Sequence, residues 1–559
     1  MFAWRWADRW ASASVASFAS FASFRPAPDG ASLVGQTSGV RDAYGVEKIR
    51  AAESALMAKL PEGTLMQRAA AGLASVCAGI LRTAKGGGRV YGAQVVILTG
   101  TGDNGGDALY AGVLLARRGA AVTAILAGPR AHLGGRAALL AAGGRFLTIT
   151  PDHDVRHAIG HADLILDGML GIGGKGGLRE PQATLAQYAA RSSGVTVAVD
   201  LPSGIDASTG AVDGPCVTAE VTVTFGALKP GLLVDPGASK AGVVELIDIG
   251  LRPHLQRPDV TAPTQADIAA VVPRPGPEAD KYRRGVIGLL VGSDRYTGAA
   301  ALATGGAVHG GAGMIRLVTA SAAASVVRAH WPEVVITPLA PDLDFPGGVG
   351  RVQAWAAGPG MGVTDEAARH LAAVLRTDLP VLIDADGLTL LSQRPDLLPR
   401  HAPTLLTPHA GELGRLLGAQ PADVEAQRLS CAQEAARRFG ACVLLKGSTT
   451  VIAQPGEPEP VLVNPTGTPW LATAGSGDVL TGLAGALLAQ GLLPPQAAMT
   501  AAYLHGLAGR IAAGGDADGT AAGEAPVGAS DVLQAIRAAF RRVAALRPGW
   551  TLTIGHYAR

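Results

Sequence analysis

Residues 472–482 read Ala-Thr-Ala-Gly-Ser-Gly-Asp-Val-Leu-Thr-Gly, and this stretch decides the fold of the second half of the chain. Gly475 and Gly477 permit a tight turn that brings backbone N–H groups close to an anion. The apolar residues from Val479 and Leu480 onward predict a helix, whose positive N-terminal end adds to that pull. Asp478 stands where it would take a proton from an attacking hydroxyl while the turn holds a phosphoryl group in flight. The same letters also fit a plain glycine turn whose helix Asp478 merely caps. The surrounding sequence separates the two.

Five further motifs precede it in order: Gly298-Ala299-Ala300, Gly358-Pro359-Gly360-Met361-Gly362, Asp384-Ala385-Asp386, Thr407-Pro408-His409-Ala410-Gly411-Glu412 and Lys446-Gly447-Ser448-Thr449-Thr450. With them, residues 281–559 resemble the ribokinase-like superfamily and, within it, the branch that dehydrates hydrated NADH and NADPH. The resemblance implies an α/β/α sandwich with ligands at the carboxyl ends of its strands. It implies hydrate-binding positions at Ala299, Ala300, Gly360, Gly362, His409 and Asp478, and ADP-binding positions at Lys446, Gly447, Ser448, Thr449, Thr450, Gly475 and Gly477. Asp478 would then be the catalytic base, deprotonating the C6 hydroxyl of the S-hydrate for attack on the terminal phosphate of ADP, with Mg²⁺ spreading the charge. Phosphate leaves and the ring regains its double bond. The residues taken alone keep plainer alternatives: His409 as a turn histidine satisfied by backbone, Lys446 as a solvated strand tip, Trp470 as core packing or as a platform for a base.

The first half has its own glycine turn. Gln94 to Leu98 reads as a buried strand running into Gly100-Thr101-Gly102-Asp103-Asn104-Gly105-Gly106-Asp107, and a helix is expected from Ala108 to Arg118. Strand, glycine turn and helix are the setting in which G-x-G-x-x-G has a physical meaning, the approach of a pyrophosphate or ribose to backbone N–H groups. A dehydrogenase also needs an acid closing the next strand, but Ala121 to Leu126 ends in Ala127-Gly128-Pro129. That disfavours NAD-dependent hydride transfer and keeps a nucleotide-type ligand on a Rossmann-like sheet. Two later strands do end in acids: Asp167 before Gly168 to Gly177, and Asp200 before Leu201-Pro202-Ser203-Gly204. Carboxyl ends of parallel strands line one crevice, so Asn104, Asp167, Asp200 and Ser203 are candidates to converge there as oxygen donors for a hard cation. The plainer reading has Asp167 and Asp200 capping the turns that follow them.

Residues 40–252 resemble the epimerase domain that interconverts the R and S forms of the same hydrates. By that resemblance, potassium falls on Asn104, Asp167 and Ser203, and the hydrate on Asp103, Asn104, Gly105, Gly106, Asp107, Gly171, Ile172, Gly173, Gly174, Lys175, Gly176, Gly177 and Asp200, the last also catalytic. The family usually carries two asparagines before Gly-Gly-Asp; Asp103 replaces the first.

A chain of 559 residues implies two or more domains. We expect α/β architecture: an extension over 1–39, the epimerase domain over 40–252, a proline-rich linker over 253–280 with a short helical piece at Gln265 to Val271, and the dehydratase domain over 281–559. Lys and Arg number 47 against 45 Asp and Glu, so charge gives no reason to expect nucleic acid or an acidic membrane. No apolar run free of charge and glycine reaches the length of a membrane span. Cys77, Cys216, Cys431 and Cys442 form no zinc or C-x-x-C pattern and are expected as buried thiols of a reducing cytoplasm. The partners expected are small molecules, hydrated NADH or NADPH and ADP, with K⁺ and Mg²⁺ as cofactors and, from the family's tendency, a homo-oligomer. The competing reading is a vitamin or sugar kinase fused to a non-catalytic nucleotide-binding domain.

Overall fold

The computed structural model describes residues 41–83, 88–150, 152–340, 343, 345–456, 459–514 and 523–545. The extension expected over 1–39 lies outside them. The chain divides into two units, Asp42–Asp259 and a second from Val260 onward.

In the first unit seven strands lie in the order Arg145–Leu147, Ala121–Leu126, Gln94–Thr99, Leu164–Gly168, Val195–Val199, Val221–Phe225, Val243–Ile247. All the pairings are parallel. Val95, Ile97 and Leu98 are buried, as a strand covered on both faces requires. From Gln94–Thr99 the chain winds outward to Arg145–Leu147 and then returns to Leu164–Gly168 on the other side, so the winding reverses between these two central strands. A crevice opens beyond their carboxyl ends. The helix Thr64–Thr83 is apolar and long enough to cross a membrane by composition, yet half of its apolar window is buried here and Leu73, Cys77 and Leu81 face the core.

The second unit repeats the plan. Its strands run in the order Val260–Ala262, Val461–Val463, Val451–Ala453, Cys442–Leu445, Thr404–Leu406, Val381–Ile383, Ala354–Ala357, Val286–Leu290, Met314–Thr319, Val335–Pro338. The block from Cys442–Leu445 to Val335–Pro338 is parallel. Its winding reverses between Val286–Leu290 and Ala354–Ala357. The helix Ser476–Ala489 is buried on nearly every side and packs on the helix Thr297–His309. Glycines make that approach possible: a Cβ on Gly482 would sit 1.8 Å from the Ala303 carbonyl oxygen, and one on Gly306 2.3 Å from that of Val479.

Two expectations are corrected. The segment 253–280 is not all linker. Val260–Ala262 is a strand that pairs with Val461–Val463, and the helix expected at Gln265–Val271 is present, boxed at its start by Thr264 and Asp267, and buries Ile268 and Ala269 in the second core. The helix after the first glycine turn begins at Asp103 rather than Ala108, because an acidic residue is favoured in a first helical turn and Gly105 and Gly106 are buried against the strand end.

Candidate functional site

In the first unit, Asn104, Asp167 and Ser203 meet around the backbone of Leu170. Asn104 Nδ2 donates to the Leu170 carbonyl at 3.1 Å, and the Leu170 N–H donates to Ser203 Oγ at 2.9 Å. Asp167 is fully buried and accepts from Ser203 N at 2.8 Å, Ser203 Oγ at 2.7 Å and Met169 N at 3.3 Å. These donors anchor the turn, as the plainer reading of Asp167 expects. They are all neutral. Burial pushes Asp167 up to about 6 against their pull, and among the described residues no cationic side chain pairs with it. A buried carboxylate beside the Ser203 hydroxyl and the Leu170 carbonyl, with no Cys or His among them, is a set of oxygens that suits a hard cation rather than zinc. The loops close on each other here: a Cβ on Gly100 would lie 1.9 Å from the Met169 carbonyl oxygen, and one on Gly171 3.1 Å from Asn104 Cβ.

Asp200 does not sit in that cluster. Its backbone takes the left-handed conformation at φ +67°, which turns the carboxyl toward the end of the strand Val221–Phe225. Lys229, 1% exposed, is ion-paired to Asp200 Oδ1, which also accepts from Thr224 Oγ1 and Phe225 N, each at 3.2 Å. The Lys229 ammonium is completed by Thr224 Oγ1 at 2.8 Å and the Phe225 carbonyl at 3.2 Å. Sequence reasoning missed Lys229. A lysine directly before a Pro-Gly looks like a loop cation until the sheet buries it. It also missed Glu53, whose carboxyl is raised by burial, with Asp200 and Asp103 adding and Lys229 opposing. Arg50, one turn earlier, comes within 3.2 Å of where a Gly173 Cβ would be. Of the hydrate positions, Asp103 is exposed at the helix start, Lys175 and Gly176 lie on the outer part of their loop, and Asp107 is half-buried.

In the second unit five of the six motifs follow neighbouring strands, Cys442–Leu445, Thr404–Leu406, Val381–Ile383, Ala354–Ala357 and Val286–Leu290, and the sixth, 472–482, follows the short turn Pro469–Leu471. Asp384, 1% exposed, is central: Lys446 Nζ reaches its Oδ1 at 2.6 Å, and Thr481 Oγ1 donates to its Oδ2 at 2.6 Å. Lys446 also faces Glu412 Oε2 at 3.8 Å, so it is no solvated tip. Burial opposes its charge, but Asp384 and Glu412 outweigh burial and hold it above the ordinary lysine value. Asp478 lies in the first turn of Ser476–Ala489, after Gly475 at φ +87°. Burial first, then the Asp384 and Asp386 carboxylates, push it up to about 6, with Lys446 opposing. A Cβ on Gly477 would lie 3.6 Å from Lys446 Nζ, so the glycine turn, Lys446, Asp384 and Asp478 share one space.

Gly360 and Ala299 touch, the Cβ of one being 2.9 Å from where the other's would be, and Gly362 N donates to Asp386 Oδ2 at 2.9 Å. Ala300 is fully buried, backbone included, so the structure does not bring this predicted position to the surface of the site. His409 caps its helix, Nδ1 accepting from Gly411 N at 3.0 Å and Glu412 N at 3.3 Å, and its ring is half-exposed at the site's rim. Gly447 and Ser448 are exposed, Thr450 is half-buried, and Thr449 is buried with its carbonyl held by the buried Arg428 at 3.4 Å. Trp470 is not core: its indole donates to Glu524 at 2.6 Å. His505, on the next helix, was not foreseen. Burial pushes it down to about 4, and its Nε2 is sealed from solvent without a hydrogen-bond partner among the described residues. Cys77 and Cys442 are buried as expected, whereas Cys216 and Cys431 are only half-buried. A separate groove of about 740 Å³, lined by Arg283, Arg284, Gln490, Arg537 and Arg541, contains no predicted site residue. Gln490 follows the far end of the helix that Asp478 begins, about 20 Å away at 1.5 Å per residue.

Two family models match the chain: one described as NAD(P)H-hydrate dehydratase over residues 287–525, and one described as YjeF-related protein N-terminus over 62–231. A bifunctional NAD(P)H-hydrate repair enzyme Nnr from Mycobacterium leprae is 47% identical, covering 89% of this chain and 99% of that protein. One of the same name from Mycobacterium tuberculosis is 49% identical over 82% of this chain and 91% of its own. A solved ADP/ATP-dependent NAD(P)H-hydrate dehydratase from Bacillus subtilis, co-crystallised with ATP and Mg²⁺, is 29% identical with a TM-score of 0.44, covering 50% of this chain and 97% of that one.

Proposed function

The chain belongs to the bifunctional NAD(P)H-hydrate repair enzymes, and on that premise we propose how its two crevices divide the work. The first unit epimerises the R and S forms of hydrated NADH and NADPH; the second dehydrates the S form at the expense of ADP. The observation that carries the second assignment is the carboxyl of Asp478, lodged between a glycine turn at a helix N-terminus and the Lys446–Asp384 pair. Asp478 takes the proton of the hydrate hydroxyl as that oxygen attacks the terminal phosphate of ADP. The N–H groups of the turn and the Lys446 ammonium stabilise the negative charge of the transferring group. Lys446 is held in place by Asp384, which Thr481 in turn fixes. Mg²⁺ would accompany the nucleotide phosphates, where it would neutralise charge on their oxygens. The rim residues Ala299, Gly360, Gly362 and His409 surround the hydrate.

In the first unit, potassium fits Asn104, Asp167 and Ser203, where it supplies the positive charge that Asp167 lacks. Asp200, oriented by Lys229, is the catalytic carboxyl, and the loops 103–107 and 171–177 hold the hydrate. Unpaired thiols at all four cysteines support a reducing, cytoplasmic setting. The kinase reading is set aside, because the repair-enzyme relatives match across both halves.

Incubating the pure protein with mixed R and S hydrate, ADP and Mg²⁺ tests the assignment, following the return of reduced-nicotinamide absorbance. Complete recovery of both epimers is expected. Accumulation of a stable phosphorylated product in its place would restore the kinase reading.

A further inference from the structure

The crevice of the first unit holds more carboxyls than its one buried lysine balances. Asp107 is half-buried on the helix Asp103–Ala116, and its Oδ1 is sealed from solvent with no hydrogen-bond partner among the described residues. The charged groups that face it are Asp200 and Lys229 from the strand ends, Asp103 one turn earlier on its own helix, and Glu53 from the helix Val46–Met57. Burial first, and then Asp200, Asp103 and Glu53, hold the Asp107 carboxyl well above the ordinary carboxylate value, with Lys229 opposing. The arrangement around Asp200 is the reverse. Three donors, Lys229 Nζ, Thr224 Oγ1 and Phe225 N, all converge on its Oδ1, and none from the described residues reaches Oδ2. Asp200 therefore has one oxygen tied by three donors and the other left to accept from a ligand, whereas Asp107 has a buried oxygen with nothing among the described residues to bond. A carboxyl aligned to accept and a carboxyl held toward its protonated form are suited to act as base and acid on one substrate.

The hydrate to be epimerised carries a hydroxyl on C6, next to the ring nitrogen N1. Inverting C6 requires breaking one bond to it, and a hydroxyl beside a nitrogen breaks most easily at the ring bond if one group removes the hydroxyl proton while another protonates N1. Taking 42–259 as the epimerase unit, we propose that the ring opens and recloses between two carboxyls: Asp200, aligned by Lys229, accepts the hydroxyl proton at Oδ2, and Asp107 gives a proton to N1. The O–H pair becomes the second bond of a C6 carbonyl, and the C6–N1 pair takes the Asp107 proton. The open-chain aldehyde turns about C5–C6. N1 then adds to the other face of the carbonyl, its proton returns to Asp107, and Asp200 gives the oxygen its proton back. Nothing is oxidised and no atom is gained or lost. Lys229 is a positioning residue in this scheme, touching Asp200 and not the hydrate.

Isotope tracing on the unaltered full-length protein tests the bond that breaks. Pure S-hydrate is converted to R in water enriched in oxygen-18, with enzyme-free hydrate as the control. Ring opening keeps the hydroxyl oxygen, so the R product is expected to match the control; one oxygen-18 gained with each inversion means that the C–O bond breaks, and overturns the proposal. The variant Asp107→Asn tests the proton donor. It is expected to slow R-to-S conversion about 10²- to 10⁴-fold with little change in the hydrate KM, whereas ADP-dependent dehydration of pure S-hydrate by the other unit reports that the protein is intact. Asp107→Glu should recover part of the rate. Epimerisation within about threefold of the parent in Asp107→Asn, or a loss confined to Glu53→Gln, overturns the role of Asp107 while leaving the epimerase assignment standing. A parent protein that does not interconvert the two hydrates removes that assignment, and this proposal with it.

Discussion

Replacing Asp478 by Asn probes the second site from two directions at once. An amide cannot accept the hydroxyl proton, and losing a general base costs about 10²- to 10⁴-fold in rate, which is about 3–5 kcal/mol on the barrier. The same carboxyl also weighs on the fold, because its surroundings raise it from 3.8 to about 6. A carboxyl whose folded value lies above its unfolded value binds its proton more tightly in the folded protein. The stability linked to it is complete below the unfolded value of 3.8 and is lost as pH rises through about 6. At about 1.4 kcal/mol per pH unit, the full difference is about 3 kcal/mol. Asp478 is partly open to solvent and the amide must itself be desolvated, so about 1–2 kcal/mol of stabilisation is expected from Asp478→Asn at pH 8 and none at pH 3. That amounts to a melting temperature a few degrees higher at the upper pH only. The assays are initial rates of dehydration of pure S-hydrate with ADP and Mg²⁺, and thermal melts of parent and variant at both pH values. In the parent, kcat for dehydration should fall as pH drops through about 6. Near-normal dehydration by the variant takes the base role away from Asp478. A melting difference that does not depend on pH refutes the burial account of its carboxyl.

Other consequences are open to direct measurement. Asp167→Ala should weaken hydrate binding in the first unit, slow R-to-S conversion and erase any potassium dependence of that step, with ADP-dependent dehydration unchanged; normal potassium-responsive epimerisation would return Asp167 to the role of turn anchor. Lys229→Met removes the group that holds Asp200 Oδ1, so kcat for epimerisation should fall with little change in the hydrate KM and Lys229→Arg should recover part of it; an unchanged kcat means that Lys229 serves packing alone. Gly475→Ala places a Cβ 2.5 Å from Leu302 Cδ1 on a backbone at φ +87°. It should cost about 1–3 kcal/mol of stability and lower dehydration more than tenfold with epimerisation intact, and equal losses in both activities would contradict a local effect.

Sequence by itself determined what is local. A glycine turn opening a helix is specified within a dozen neighbouring residues, because glycine admits the close backbone approach at Gly100 and the positive φ at Gly475. The runs 94–107 and 472–482 could therefore be read as glycine turns at helix starts before any contact was known. The order of the motifs and their resemblance to the hydrate-repair families did the rest. What the linear order does not contain is which strand ends become neighbours. Asp200 and Lys229 are 29 residues apart, Asp384 and Lys446 62, Asp384 and Thr481 97, and each pair exists only because the sheet places the carrying elements side by side. For the same reason Asp384 looked like one motif letter among many and emerged as the centre of its site. Burial is equally a property of the whole fold. Asp478 and Asp107 are ordinary acids in the sequence, and only the surrounding core, which removes water and crowds them with other carboxylates, changes how firmly they hold a proton.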